Sequence, residues 1–355
     1  MPGSAELLDV LLAGGRRADR LTHVERRAPR PGRTAPWPQW ADPALLAGYH
    51  QLGVEQPWTH QIEAAERLWT HRHTVLATST GSGKSLAFWL PALTAVQDAA
   101  SVHRQDAGRF DTRRSTILYL SPTKALAADQ LAGLERLLGA SGLRATVRAA
   151  TCDGDTDATA RRWVIDHADV VLTNPDFLHF ALIPGHRRWA RLLRSLRYVV
   201  VDESHAYRGV FGAHVALVLR RLRRVAALHG ADPTFALASA TTADPAASAA
   251  RLLGVAPDAV AAVTDDGSPR GAQTIALWQP PELPGREAPG PERDDGAPTA
   301  PTAPTHRTAT AEMAVLLTDL TVAGARTLAF TRSRRAAESV AATTRDQLEA
   351  VGRGL

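Results

Sequence analysis

Thr78, Ser79, Thr80, Gly81, Ser82, Gly83, Lys84 and Ser85 form one uninterrupted run between a short apolar stretch and a longer one. Their types and spacing suit an anion with several oxygens. Two glycines let the backbone curl without Cβ clashes, so that several N–H groups can point inward. Lys84 brings a compact positive charge to the same place, and the Ser85 hydroxyl can reach a divalent cation. The preceding "TVLA" is strand-like and the following residues are helical, so the run ends at a helix N-terminus, where anions are favoured. This is the layout of a phosphate-binding loop. It has one departure, because Thr78 takes the place of the first glycine of G-x-x-x-x-G-K-[ST].

A second chemical signal lies downstream. "LRYVVVDESHAYRG" closes an apolar β-run with two adjacent carboxylates, Asp202 and Glu203. They would lie at the C-terminal edge of a sheet, where open α/β folds bind ligands. Asp202 suits Mg²⁺, held directly or through water. Glu203 is placed to orient and polarise an attacking water. A pair of solvated acids after a strand is common, but an independent phosphate loop already demands such a partner.

These residues need a scaffold, and the surrounding pattern supplies one. "HTVLATS", "STILYLSP", "ATVRAAT", "DVVLTNP", "RYVVVDES" and "TFALASATT" are β-rich, and most are followed by helical spacing. Strands alternating with helices predict an α/β fold with a parallel sheet covered on both faces. Two short helices, "DPALLAGYHQLGV" and "PWTHQIEAAERLWT", precede the first strand, with Ile62, Ala65, Leu68 and Trp69 on one face of the second. The clearest helix is "AHVALVLRRLRRVAALHG", where Val215, Val218, Leu219, Leu222 and Val225 share a face and Gly230 supplies the C-terminal cap.

The order "ATSTGSGKS", "DESH", "SAT" (Ser239, Ala240, Thr241) resembles motifs I, II and III of the superfamily 2 DEAD/DEAH-box helicases. "SPTKALAADQ" resembles motif Ia, "TNPD" motif Ib, "PWTHQ" the adenine-reading Q motif and "TLAFTRSRRAAE" motif IV. "TCDGDT", "HAYRGVFGAHVALVLRRLRR" and "HVERRAPRPGRTAPWPQW" narrow the resemblance to the bacterial DNA-repair subgroup with a C-terminal cysteine-rich domain. It implies a RecA-like P-loop NTPase domain followed by the start of a second RecA-like domain. It also implies ATP and Mg²⁺ as cofactors, with Ser85 and Asp202 on the metal and Lys84, Asp202, Glu203 and His205 as the catalytic set. By the same resemblance Gln61 reads adenine, His205 relays nucleotide state to Ser239, Ala240 and Thr241, and Pro122, Thr123, Lys124, Thr173, Asn174 and Pro175 grip a nucleic-acid backbone. Backbone contacts carry no sequence information, so binding is expected to be non-specific and salt-sensitive. DNA is expected over RNA.

Composition bounds the rest. The 355 residues allow roughly two domains. The formal net charge of +5 favours an anionic partner only weakly. A single cysteine, Cys152, excludes an internal disulfide framework and a multi-cysteine zinc site within these residues, and fits a reducing cytoplasm. No apolar run approaches the ~20 residues of a membrane span. Four segments are expected: an arginine- and proline-rich, irregular lead-in at 1–40, a first RecA-like domain at 41–278, a disordered proline-rich linker or insertion at 279–308, and the truncated start of a second RecA-like domain at 309–355. Order is expected to resume with a helix at "AEMAVLLTDLTVAG", a strand at "RTLAF" and a helix at "SRRAAESVAATTRDQLEAV". Motifs V and VI do not follow motif IV in this sequence. The expected function is therefore the N-terminal portion of an ATP-dependent nucleic-acid helicase. The alternative is a non-unwinding ATP- and nucleic-acid-binding module that needs a partner chain to supply the second helicase domain.

Overall fold

The computed structural model describes residues 4–105, 114–240, 242–283 and 305–353. The chain divides into two compact units, Pro31–Pro269 and a smaller one made of Met1–Arg30 with Arg270–Leu355.

The smaller unit begins with α1 (Ser4–Leu12) and β1 (Leu21–Arg27). The larger unit then runs α2 (Pro43–Gln51), α3 (Thr59–Trp69), β2 (His73–Ala77), α4 (Lys84–Gln105), β3 (Thr116–Leu120), α5 (Lys124–Ala140) and β4 (Ala149–Thr151). It continues through α6 (Ala158–His167), β5 (Val170–Thr173), α7 (Pro175–Phe177), α8 (Ala190–Arg194), β6 (Leu196–Val201) and α9 (Gly209–Leu228). β7 (Thr234–Ser239), α10 (Pro245–Leu253) and β8 (Val260–Val263) complete it.

Seven strands form one parallel sheet in the order β4-β5-β3-β6-β7-β2-β8. β3 is buried along its whole length, and so is β7. Strands of this kind are apolar on both faces and must be covered on both. One apolar cluster joins Leu118, Val199, Val201 and Phe235 to Val215, Leu219 and Leu222 of α9. The other joins Ile117, Tyr119 and Val200 to Phe88, Leu90 and Leu93 of α4 and Leu134 of α5. The α/β architecture expected from the alternating pattern is the one observed, and the six strands expected ahead of the proline-rich stretch are present. Local chemistry sets where helices start. Asp42 caps α2 by accepting from the N–H groups of Ala44 and Leu45, with Pro43 in the first turn. Thr123 caps α5, and Asp244 caps α10. α9 buries Val215, Val218, Leu219 and Leu222 as its spacing requires, and Gly230 beyond its end takes a φ of 83°.

The smaller unit departs from expectation in three places. The lead-in is not irregular throughout, because β1 pairs antiparallel with β9 (Gln273–Trp278). Its alternation is hidden in a charge-rich stretch, since only Leu21 and Val24 are partly covered. The 279–308 segment is structured at its margins, where β10 (Glu282–Leu283) pairs with β11 (Thr305–His306). Its residues 284–304 lie outside the described residues. Helices α11 (Ala309–Val322) and α12 (Arg334–Arg353) form where the spacing predicts. "RTLAF" between them is not a strand, and Leu328 and Phe330 are 78% and 79% exposed. A strand exists only by sharing its N–H and C=O groups with a neighbour, and among the described residues none pairs with this segment. Within the unit, buried Glu312 of α11 accepts from Arg20 (3.1 Å), Arg307 (3.0 Å) and Trp278 Nε1 (2.9 Å), tying the N-terminal residues to the later helix. Among the described residues no helix is long and apolar enough to cross a membrane.

Candidate nucleotide and nucleic-acid site

The loop from Thr78 to Gly83 leaves the C-terminal end of β2 and leads directly into α4. Gly81 and Gly83 have φ of +81° and +74°, which only glycine adopts without strain. Thr78 is not in the left-handed region, so its position makes no demand for glycine. Its hydroxyl instead lies 2.8 Å from the Ser82 hydroxyl, a buried brace across the base of the loop. Lys84 Nζ donates to the carbonyls of Thr78 (3.2 Å) and Ser79 (3.0 Å). Burial pulls the lysine below its usual range, while the carboxylates of Glu203, Asp202 and Asp266 push back. The Ser85 hydroxyl lies 3.4 Å from Gln130 Oε1.

Gln61 is tied to the loop itself. Its Oε1 accepts from Trp58 N–H (2.8 Å), and its Nε2 donates to the carbonyls of Gly83 (2.8 Å) and Ser82 (3.3 Å). The amide expected to read adenine thus also holds the phosphate loop in place. A Cβ at Gly83 would stand 2.5 Å from that Nε2. Gly83→Ala is therefore expected to cost about 1–2 kcal/mol for the left-handed backbone alone and to abolish nucleotide binding. Thermal unfolding and titration with a fluorescent ATP analogue check this. Binding at the parental level would overturn it.

Asp202 and Glu203 follow β6 at the same edge, with β7 between the β6 and β2 strands. Asp202 is 8% exposed. Its Oδ1 accepts from Glu203 N–H (2.9 Å), and its Oδ2 accepts from the buried Tyr119 hydroxyl of β3. Burial and the charge of Asp202 drive the Tyr119 phenol far above its usual range, so it stays a donor at any physiological pH. Each Asp202 oxygen keeps a lone pair for a cation. Among the described residues no three His, Cys, Asp or Glu side chains gather to hold a metal. One carboxylate with one hydroxyl fits a hard cation that keeps waters and takes its other ligands from phosphates. Tyr119→Phe removes one hydrogen bond to a buried charge. It is expected to lower unfolding free energy by about 1.5–3 kcal/mol, read from urea denaturation, and an unchanged midpoint would rule the contact out as a support.

Glu203 has φ 47° and ψ 42°, a left-handed conformation rare outside glycine. Strain of this kind persists only where surroundings over-determine it, and it clusters at functional sites. Nδ1 of His205 lies 3.2 Å from Glu203 Oε2 and 3.1 Å from Ala240 N. When bare, that nitrogen accepts from Ala240 N–H; when protonated, it donates to Glu203. The segment after β7 and the acidic pair therefore meet on one ring atom. Ser239 ends β7 and is buried. Thr241 lies outside the described residues.

The residues expected to grip nucleic acid divide in two. Pro122 is partly exposed, and Thr123 and Lys124 are exposed at the β3 edge. Lys124 is 47% exposed and ion-paired to Asp155, with Asp153 at 3.8 Å. The hydrogen bond it donates to the Asp155 carboxylate raises its pKa. The Thr123 hydroxyl already caps α5. Asn174 caps α7 through Oδ1, accepting from Phe177 N–H at 2.9 Å, and Pro175 is buried. The Thr173 hydroxyl does not face outward as expected. It is buried and donates to the Cys152 carbonyl at 2.5 Å, because the residue sits in the ladder of β5. The reading of residue types missed Tyr119, His60 and Asp266. Tyr119 looks like an ordinary core aromatic in "TILYL", while His60 beside Gln61 and the two acids in "TDDGSP" were visible but unassigned.

Three kinds of comparison bear on this geometry. A family model described as DEAD/DEAH box helicase matches residues 58–249. The chain is 35% identical over 306 residues to the uncharacterized ATP-dependent helicase YprA of Bacillus subtilis (strain 168), covering 86% of this chain and 36% of that protein. It is 32% identical to the ATP-dependent helicase hrq1 of Schizosaccharomyces pombe, covering 87% of this chain and 26% of that one. The chain thus spans about a third or less of the length of these relatives. The fold is similar to the DUF1998 helicase MrfA bound to DNA and AMPPNP, with TM-score 0.81 and 31% identity over 98% of this chain and 43% of that one.

Proposed function

The chain belongs to the DEAD/DEAH box helicase family, and we propose that it is the nucleotide-binding portion of a DNA helicase, taking up ATP with Mg²⁺ and the backbone of one DNA strand. The observation that carries this is the convergence of Lys84, Asp202 and Glu203 at one edge of the parallel sheet, close enough for both acids to favour the lysine's charge.

In this reading the N–H groups around Gly81–Ser85 and the Lys84 ammonium hold the β- and γ-phosphates. Ser85 and Asp202 would hold Mg²⁺, which when bound neutralises charge on the phosphates. Glu203, fixed in its unusual backbone conformation, accepts a proton from the attacking water through Oε2. Gln61 orients adenine with the free lone pair of Oε1 while its Nε2 keeps the loop in register. His205 ties Glu203 to Ala240 beyond the end of β7, so that loss of the γ-phosphate is felt beyond the site.

Pro122, Thr123, Lys124, Asn174 and Pro175 sit on strand-to-helix turns where phosphate contacts are expected, with Thr173 acting through its main chain. The Lys124 pairing with Asp155 and Asp153 means that a DNA phosphate must compete for that ammonium. Binding should therefore weaken steeply with salt and show little sequence preference. That relatives' structures hold DNA supports DNA as the strand.

The deciding assay is ATP turnover by this chain with and without single-stranded DNA. Stimulation by DNA, absent when Mg²⁺ is chelated, is expected. ATP binding without any response to DNA would reduce the protein to a nucleotide-binding module.

A further inference from the structure

The phosphate loop is held from outside by a segment that no motif so far described includes. β8 lies beside β2 in the sheet, so the chain leaving β8 emerges next to the loop. There Asp266 makes a tight turn onto itself, its Oδ1 accepting from Ser268 N–H (2.9 Å) and the Ser268 hydroxyl (2.6 Å). The other oxygen, Oδ2, accepts from the Ser79 hydroxyl and from Ser79 N–H (3.4 Å). One oxygen of the carboxylate thus accepts from its own turn and the other from the entry limb of the loop.

The next residue reaches the loop by a second route. Gly267 N–H donates to His60 Nδ1 at 3.1 Å. That nitrogen must then be bare, which puts the ring proton on Nε2, and Nε2 donates to the Ser82 carbonyl at 3.1 Å. His60 is fully buried. A Cβ at Gly267 would stand 2.2 Å from Thr59 Oγ1 and 3.1 Å from the Arg33 carbonyl, so the turn is packed straight onto the start of α3. Entry limb and apex are therefore tied, through two adjacent residues, to one rigid corner of the fold.

Within the nucleotide reading given above, we propose that Asp266 is a positioning residue for the phosphate loop. The argument is one of preorganisation. A loop with two glycines and four hydroxyl residues has many backbone states, and each one lost on phosphate binding weakens affinity. Ser79 precedes the N–H groups that cradle phosphate, so anchoring it narrows the loop without occupying a phosphate contact. The carboxylate also helps keep Lys84 protonated. Burial works against its own charge, but the hydrogen bonds from Ser268 and Ser79 outweigh that and hold the acid well below the usual aspartate range. The clamp is thus charged throughout the physiological range.

The test compares Asp266→Ala, Asp266→Asn, Ser79→Ala and the double variant Asp266→Ala/Ser79→Ala in the full chain, by two readouts. The first is affinity and turnover for ATP and a fluorescent ATP analogue. Losing a hydrogen bond to a charged group predicts that Asp266→Ala raises KM for ATP by about 10–100-fold while kcat changes much less. Asp266→Asn, which keeps one acceptor, is expected to recover part of the loss. Ser79→Ala should add little on top of Asp266→Ala, because the two act through one contact. Parental KM in Asp266→Ala, equal loss in kcat and KM, or fully additive effects would each overturn the proposal. The second readout needs no nucleotide. Amide hydrogen exchange across Ser79–Lys84 should quicken at least tenfold in Asp266→Ala while the core strands keep their protection. Unchanged exchange there would overturn the clamp. A parental chain that binds no ATP analogue would instead defeat the nucleotide reading, leaving exchange to decide on Asp266.

Discussion

Lys84→Ala is expected to lower ATP turnover by about 10²–10³-fold, the loss seen when one preorganised donor to developing charge is removed, and to weaken ATP binding as well. The side chain stands at the start of α4 with its ammonium turned back over the loop, on the carbonyls of Thr78 and Ser79. It is the cation of the loop itself, and Asp202, Glu203 and Asp266 all favour its charged form. Nothing within the loop replaces it, since the neighbouring donors are neutral. Because the residue is only partly buried, the fold should survive the change. Circular dichroism and the melting curve should match the parent while nucleotide titration flattens. Arginine is a poor substitute, because its planar fork is larger and directs its donors differently from a point ammonium. Turnover and affinity within a fewfold of the parent would remove the phosphate loop from the mechanism.

Glu203→Gln probes the other half of the site and should separate chemistry from binding. Its kcat is expected to fall by about 10²–10⁴-fold, the usual worth of a positioned general base, with the Kd for ATP changed little. The amide keeps the size of the side chain and accepts the same left-handed backbone at about the same cost, so the comparison isolates the carboxylate. The variant also leaves His205 Nδ1 without a charged partner, facing a neutral amide beside the Ala240 N–H. A parallel loss of affinity, measured by titration with the fluorescent analogue, would mean that Glu203 holds substrate rather than water. Full activity would move the base elsewhere.

How much of this was legible in the amino-acid order depends on burial. β3 and β7 are wholly buried, and β6 is buried at all but one position, so their apolar runs read as strands without ambiguity. Lys84 could be found because it closes a glycine-rich run at the start of a helix, and Asp202 and Glu203 because such a loop demands an acidic partner at the end of a buried strand. β8 was missed, since "VAAV" carries two alanines and little β-propensity, and with it went the turn at Asp266. Tyr119 was visible only as a core aromatic. Nothing in "TILYL" tells that its hydroxyl meets a carboxylate from a strand far away in sequence. Thr78 departs from the glycine pattern. It is harmless because the left-handed positions fall at Gly81 and Gly83, and its hydroxyl finds Ser82. "RTLAF" failed in the opposite direction, since its apolar spacing was adequate but a strand is a property of pairs.

The short ladder in which Leu283 faces Thr305 has a consequence for design. It holds the two ends of the intervening segment side by side whatever that segment contains. Doubling the length of a loop closed in this way costs only about 0.6 kcal/mol, so residues can be gained or lost there with little effect on the strands and helices on either side. The position is therefore expected to accept an inserted fluorescent or affinity module. A chain carrying such a module should bind nucleotide as the parent does, because the residues that hold the phosphate loop all come from the Pro31–Pro269 unit.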